Sequence, residues 1–361
     1  MRNDAAIRQA IVERGGVYAA LIELTYRCNF ACEHCLVDGG RERDVRDGPD
    51  LTTAELVALF DDLARVGVLR LTLSGGEVTE RRDLERLLRE ARRRGFLVDL
   101  KTNGSRLTAA RVALLRELGI TEVTVSVYSL DPAVHDAVTR RPGSLARVLQ
   151  GLERARAAGL DVRVALPVMR PNAHTVGLTT EGLRARGFPV SVTHLVLPND
   201  TRDASLRGLN LDDDEARAFL AEHGPQAGRS PRPVRTLEHR VCYAGQRSLS
   251  VSPTGDVKAC AAMVSTFGNL RQRSLDDILC GEARRMFVTR RRGDIKGCAG
   301  CVLAPHCFHC PAAMERFGGD PFARTAFWCR RNARILRKAG GRRVGREYVF
   351  EPAPPAPGDE R

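Results

Sequence analysis

The chain has 361 residues, 43% of them hydrophobic, and a formal net charge of +13. That length holds a barrel-sized domain with a smaller unit beside it. No window reaches the roughly 18 consecutive apolar residues of a membrane span, and the opening MRNDAAIRQAIVERGG lacks the apolar core of an export signal, so a cytoplasmic protein without a membrane partner is expected.

In chain order, short β-branched or apolar runs alternate with amphipathic stretches from residue 17 to about 223, the pattern of βα units building a parallel sheet. Strands are predicted at Tyr18–Thr25, Val68–Leu73, Leu97–Lys101, Glu122–Val127, Val162–Val168 and Val190–Leu197. Between them, a helix over Ala54–Arg65 opens with Thr52 and Glu55 spaced as a capping box, and one over Ala109–Leu118 stops at Gly119. Six such units predict an α/β fold, a partial (β/α)6 barrel of TIM type spanning residues 1–223. A Gly/Pro/Arg/Ser linker is expected at 224–235, a cysteine-rich domain at 236–338 and a disordered, proline-rich tail at 339–361.

The positive charge is spread as arginine over predicted helix faces (Arg81, Arg82, Arg92, Arg93, Arg94), with short clusters at Arg290–Arg291–Arg292 and Arg342–Arg343. A solvated arginine-rich surface explains this better than a nucleic-acid groove, and no nucleic-acid partner is expected. An acidic peptide remains compatible with it.

The eleven cysteines are unevenly placed: three near the N-terminus and eight from Cys242 to Cys329. In reducing cytoplasm such a pattern speaks for metal binding rather than disulfides. Directly after the first strand, TYRCNFACEHC gives C-x3-C-x2-C at Cys28, Cys32 and Cys35. Three thiolates so spaced can hold three irons of a 4Fe–4S cluster and leave the fourth open, or hold zinc if His34 supplies a fourth ligand.

This loop resembles the signature of the radical S-adenosylmethionine (SAM) superfamily, C-x3-C-x-aromatic-C, with His34 in the position that lies against the adenine. Ser74-Gly75-Gly76-Glu77 at the end of the second strand resembles the family's GGE motif for the methionine end of SAM, although Val78 stands where proline is usual. Lys101-Thr102-Asn103-Gly104 resembles the TNG segment. Ser126 and Tyr128 end the fourth strand, and the run from Asp131 through His135-Asp136 to Gly143-Ser144 is similar to the peptide-modifying branch, with Arg140 implied as a contact to the SAM carboxylate. Asn172 follows the fifth strand. Each segment falls at the barrel end where active sites assemble.

The second cysteine group reads C242-x17-C260, with Gly255 five residues before Cys260, then C298-x2-C301-x5-C307-x2-C310 and Cys329. It resembles the SPASM extension of radical SAM enzymes, with x2 before Cys310 where x3 is usual. The resemblance implies one auxiliary 4Fe–4S cluster on Cys298, Cys301, Cys307 and Cys329. A second would rest on Cys242, Cys260 and Cys310, completed by His239 or left open. Paired zinc ribbons are the alternative for this region. Cys280 lies outside the motif, as a small buried hydrophobe, an extra ligand or a hydrogen donor to a substrate radical.

By resemblance, the enzyme cleaves SAM reductively and takes hydrogen from a carbon of a ribosomally made precursor peptide, forming a crosslink, inverting a residue or oxidising it. A flavodoxin- or ferredoxin-type electron donor is implied. With 27 residues ahead of Cys28, too few for a winged-helix unit, the expectation is either a separate leader-recognition protein or a basic surface that meets an acidic leader directly. The alternatives are a sulfatase-type protein maturase, ranked lower because Leu36 follows the last signature cysteine, an aminocyclitol dehydrogenase and, in another class, a zinc protein that binds nucleic acid.

Overall fold

The computed structural model describes residues 10, 11, 13, 16–37, 48–193, 195–199, 204–212, 215, 216, 219, 236–338, 341–344 and 347–350. The chain forms two compact units, Met1–Asn210 with Tyr243–Val288, and Leu211–Cys242 with Thr289–Arg361.

The first unit is built on six βα repeats. The strands β1 (Ala19–Glu23), β2 (Arg70–Ser74), β3 (Leu97–Thr102), β4 (Glu122–Ser126), β5 (Val162–Pro167) and β6 (Val190–Thr193) lie side by side in chain order, all parallel. Between them run α1 (Thr53–Arg65), α2 (Leu84–Arg93), α3 (Ala109–Glu117), the pair α4 (Pro132–Thr139) and α5 (Ser144–Ala157), and α6 (Val176–Ala185). Ile22, Leu71, Leu73, Val98, Val123, Val125, Val164 and Leu166 on the strands, with Phe60, Leu63, Leu87 and Ala91 on the helices, are all but fully buried. Each larger side chain so buried contributes about 1.5–3 kcal/mol. The sheet is open: its order is β6-β5-β4-β3-β2-β1-β7-β8-β9, where β7 is Ser248–Val251, β8 is Asp256–Lys258 and β9 is Gly268–Asn269, and β6 and β9 are its edges among the described residues.

The helix entries follow local chemistry. At α1, the Thr52 hydroxyl accepts the Glu55 N–H at 3.2 Å and the Glu55 carboxylate accepts the Thr52 N–H at 2.7 Å, while Leu56, Leu59, Phe60 and Leu63 form the buried stripe. Thr52→Ala is expected to cost about 1 kcal/mol, a fall of roughly 2–4 °C in thermal denaturation. An unchanged midpoint would mean that the cap does not contribute.

Three expectations need correction. First, the units are not consecutive in sequence. Residues 243–288 belong with the barrel because β7 (Ser248–Val251) pairs in parallel with β1, and β8 (Asp256–Lys258) and β9 (Gly268–Asn269) follow it as antiparallel neighbours. Second, part of the segment expected to be disordered forms an antiparallel pair, β10 (Gly341–Val344) with β11 (Glu347–Phe350). Residues 351–361 and the expected linker at 224–235 lie outside the described residues. Third, two of the arginines assigned to the surface, Arg81 and Arg292, are inside. Arg81 is buried and donates to the carbonyls of Leu24 and Leu51 as well as to Asp83, and Arg292 is fully buried. Hydrogen bonds to carbonyls of residues distant in sequence offset the cost of burying these charges, and local composition does not show them.

In the second unit, Val241 N–H donates to the Arg290 carbonyl and Arg292 N–H to the His239 carbonyl, joining its two chain segments. Helices α9 (Pro311–Gly318) and α10 (Ala326–Lys338) follow α7 (Leu275–Cys280) and α8 (Glu282–Thr289) in chain order. The indole of buried Trp328 on α10 donates to the Phe308 carbonyl at 2.7 Å, and the rings of Phe317 and Phe327 stack at 4.1 Å.

Candidate active site

The loop after β1 carries Cys28, Cys32 and Cys35, each half-buried. Backbone bonds fix its path: Ala31 N–H donates to the Thr139 carbonyl and Glu33 N–H to the Val138 carbonyl, both at the end of α4, and Cys35 N–H reaches the Cys32 carbonyl. The Phe30 N–H donates to Cys28 Sγ at 3.4 Å. Burial pushes the Cys28 thiol up to about 11, with Glu77 and Cys35 adding to the rise, and the Cys32 thiol up to about 12, with Cys35 and Cys28 adding to it. Buried, mutually interacting thiols of this kind become thiolates when a metal replaces their protons. Among the described residues no three His, Cys, Asp or Glu side chains are arranged to hold a single metal ion.

The end of β2 is locked against the start of this loop. Gly76 N–H donates to the Thr25 carbonyl at 2.7 Å and Glu77 N–H to the Arg27 carbonyl at 2.9 Å. A Cβ on Gly75 would lie 2.3 Å from the Thr25 carbonyl oxygen, and one on Gly76 would lie 2.5 Å from those of Tyr26 and Arg27. Glycine is therefore required by close passage of the cysteine loop's own backbone. Glu77 is buried, with one carboxylate oxygen accepting from Thr79 N–H, Thr79 Oγ1 and Thr102 Oγ1 and the other accepting Asn103 N–H at 2.7 Å. Its hydrogen bonds tie β2 to β3, so the carboxylate acts here as a brace.

Asn103 reaches back to the loop. Its Nδ2 donates to Asn29 Oδ1 at 2.8 Å, Asn29 Nδ2 donates to Ser105 Oγ at 3.0 Å, and Ser105 Oγ donates to Asn103 Oδ1 at 2.7 Å, closing a ring of three polar side chains. Sequence reasoning missed Asn29 and Ser105; the signal was their adjacency to Cys28 and Asn103. Ser126, the last residue of β4, is half-buried, and just beyond it buried Tyr128 sits with its hydroxyl 3.8 Å from Cys32 Sγ and its ring edge-on to His34 at 4.9 Å. Burial lowers the His34 imidazole to about 4, so the ring is neutral, and its Nδ1 is a buried polar atom without a hydrogen-bond partner among the described residues. Asn172 is fully occupied, accepting from Met169 N–H and donating to the carbonyls of Tyr128 and Pro167.

The run after Asp131 folds into a knot. The Asp136 carboxylate accepts from Gly143 N–H, Ser144 Oγ and Leu145 N–H, and Ser144 Oγ also meets His135 Nδ1 and Thr139 Oγ1. Arg140 is exposed and left-handed, with φ 52° and ψ 36°, the one non-glycine residue at positive φ among the described residues. Arg140→Gly is expected to raise stability by roughly 0.5–1 kcal/mol without cofactor, relief of the left-handed strain outweighing glycine's entropy. If Arg140 meets the SAM carboxylate, calorimetry will show weaker SAM binding by the same variant.

In the second unit, Cys298, Cys301, Cys307 and Cys329 lie within electrostatic reach of one another. Burial pushes the Cys307 thiol up to about 12, opposed by the Arg292 guanidinium, which donates to the carbonyls of Ala304 and Cys307. Cys242 and Cys310 are also in this unit, where burial raises the Cys310 thiol and Cys242 adds to the rise, whereas Cys260 belongs to the first unit. His239 is exposed and its Nδ1 accepts from Thr236. Cys280 is exposed at the end of α7. None of the eleven cysteines is in a disulfide.

An open parallel sheet with a three-cysteine loop at the C-terminal end of its first strand, braced by glycines from the second, defines a barrel-end centre suited to an iron-sulfur cluster and a small cofactor. Residues 22–176 match the Radical SAM superfamily, and residues 242–302 match SPASM, an iron-sulfur cluster-binding domain. The PqqA peptide cyclase of Methylocella silvestris is 30% identical over 278 residues, 72% of each chain. The mycofactocin maturase MftC of Mycobacterium ulcerans is 31% identical over 260 residues, 66% of each. The crystal structure of Streptococcus suis SuiB bound to S-adenosylmethionine shares the fold at a TM-score of 0.62 and 14% identity, covering 90% of this chain and 79% of that one. The chain belongs to the radical SAM superfamily, in its SPASM-bearing group, and its cofactors are 4Fe–4S clusters and SAM. No described helix is long and apolar enough to cross a membrane.

The donor set fits those groups: three half-buried thiols on one braced loop, and the neutral His34 ring with its orphaned nitrogen.

Proposed function

We propose that this chain modifies a ribosomally made peptide by radical chemistry, holding the SAM-binding cluster on Cys28, Cys32 and Cys35. The observation that carries the reading is the brace between Gly75-Gly76-Glu77 and residues 25–27, which sets the cysteine loop at the strand ends. When bound, the cluster and SAM supply a carbon radical able to take hydrogen from an unactivated carbon. The protein's own work is positional. Thr25–Arg27 and the glycines fix the loop, the Asn29–Asn103–Ser105 ring buttresses it, and Tyr128 and His34 present an aromatic wall. Ser74, Ser126 and Arg140 complete the SAM contacts in this reading. The peptide substrate is supported by relatives 30% and 31% identical, the first of them named as a peptide cyclase.

The same reading gives Cys298, Cys301, Cys307 and Cys329 one auxiliary cluster, while a second on Cys242, Cys260 and Cys310, with an open iron, rests on the sequence resemblance alone. The exposed position of Cys280 lends the hydrogen-donor role no support. A flavodoxin- or ferredoxin-type protein would supply electrons in a reducing cytoplasm, and a separate protein would present the leader.

Anaerobically prepared protein should be brown, carry about twelve irons for three 4Fe–4S clusters, and release 5′-deoxyadenosine from SAM under dithionite. Adding a precursor peptide should give a mass change in that peptide. Colourless protein containing zinc and binding nucleic acid in a salt-sensitive way would establish the rival class instead.

A further inference from the structure

A cavity of about 240 Å³ in the first unit is lined by Asn29, Ser105, Arg106, Arg141 and Arg147. Asn29 comes from the cysteine loop itself, between Cys28 and Cys32, and Ser105 from the loop after β3; both belong to the polar ring with Asn103. The three guanidiniums come from separate places: Arg106 after β3, Arg141 after α4 and Arg147 in the first turns of α5. Among the described residues only one of their charges has an ionic partner, since Arg106 pairs with Glu80 at 2.7 Å. Arg147 donates to the Pro142 carbonyl, and the Arg141 side chain has no hydrogen bond or ion pair among the described residues. The nearby Asp136 carboxylate is already committed to Gly143, Ser144 and Leu145. Two uncompensated cations beside a third, around neutral donors, form a concave site whose electrostatics ask for an anion.

We infer that this cavity is a docking subsite for an acidic side chain of the peptide substrate, taking a carboxylate between Arg141 and Arg147 and so anchoring the peptide beside the cysteine loop. The inference rests on the peptide reading above and adds the chemistry of the anchor. The size of the cavity decides the class of ligand: it admits a single Asp or Glu side chain, whereas the flat acidic face of a redox protein would meet the arginines only at the rim. Guanidinium forks match carboxylates in two-point geometry, which gives the subsite a preference for carboxylate over the amide of Asn or Gln.

The test uses the full-length, cluster-loaded protein and a fluorescein-labelled hexaglutamate peptide with blocked ends, with binding read by anisotropy. Arg141→Glu/Arg147→Glu should weaken binding by about tenfold or more, while Arg184→Glu/Arg186→Glu, an equal charge change at exposed positions on and just beyond α6, should change it by less than about twofold. A hexaglutamine peptide should not bind, and the doubly reversed variant should gain affinity for hexalysine. Equal losses in both double variants would overturn the subsite, as would competition by inorganic phosphate as effective as by the peptide, since the cavity would then take any anion. Loss of SAM binding with Arg141→Glu/Arg147→Glu would also overturn it, by assigning the arginines to the cofactor. Failure of the wild-type protein to release 5′-deoxyadenosine under dithionite would instead count against the enzyme reading, which keeps the two failures apart.

Discussion

Replacing any one of Cys28, Cys32 and Cys35 by alanine is expected to abolish 5′-deoxyadenosine formation while removing about four of the irons and leaving the fold intact. The loop's path depends on backbone bonds from Ala31 and Glu33 to the end of α4, none of which uses a cysteine side chain. All three thiols are only half-buried, so truncation leaves little unfilled space. Iron analysis and electron paramagnetic resonance of the reduced protein would show loss of one cluster with the auxiliary signals retained, and thermal denaturation of the metal-free chain would move by less than about 1 kcal/mol. Cys280→Ala serves as the matched control, being exposed and remote in sequence. Retention of all iron after a triple replacement would show that the cluster sits elsewhere and would remove the basis of the function proposed here.

The barrel and the position of this loop were readable in the sequence because their causes are local. Alternating buried residues in short runs, the Thr52 cap and turn glycines act within a few residues, and the six strands fall within a few residues of where periodicity sets them. The parts that escaped depend on contacts between distant segments. Nothing in Ser248-Leu249-Ser250-Val251 says that it will pair in parallel with Ala19–Ile22. Arg290, Arg291 and Arg292 look alike as a basic run, yet Arg290 lies over the Phe322 ring, Arg291 is exposed, and Arg292 is fully buried against the carbonyls of Ala304 and Cys307. Glu77 was legible as important, but its use as a brace follows from Thr79, Thr102 and Asn103 converging on it. The arginine cavity beside Asn29 combines residues from three loops and a helix and has no contiguous signature.

Gly75→Ala is expected to destabilise the first unit by about 2–5 kcal/mol, adding an overpacking cost of roughly 1–3 kcal/mol to a backbone cost of roughly 1–2 kcal/mol. The added methyl would meet the Thr25 carbonyl oxygen at 2.3 Å, with the backbone nitrogens of Thr25 and Leu24 at 3.2 and 3.3 Å. None of these atoms can swing aside as a side chain would, because Leu24 N–H is bonded to the Ser74 carbonyl and the Thr25 carbonyl accepts Gly76 N–H. The backbone at Gly75, φ +135°, is also one that an L-residue resists. Gly95→Ala separates the two contributions: Gly95 has φ +84° but nothing within 4 Å of an added Cβ, so only the backbone cost of about 1–2 kcal/mol applies. Thermal denaturation should therefore show a drop at least about twice as large for Gly75→Ala, and SAM affinity should fall for that variant alone, because the strain is discharged into residues 24–27 at the root of the cysteine loop. Equal drops for the two variants would mean that the brace yields, and that the loop is positioned instead by its bonds to α4.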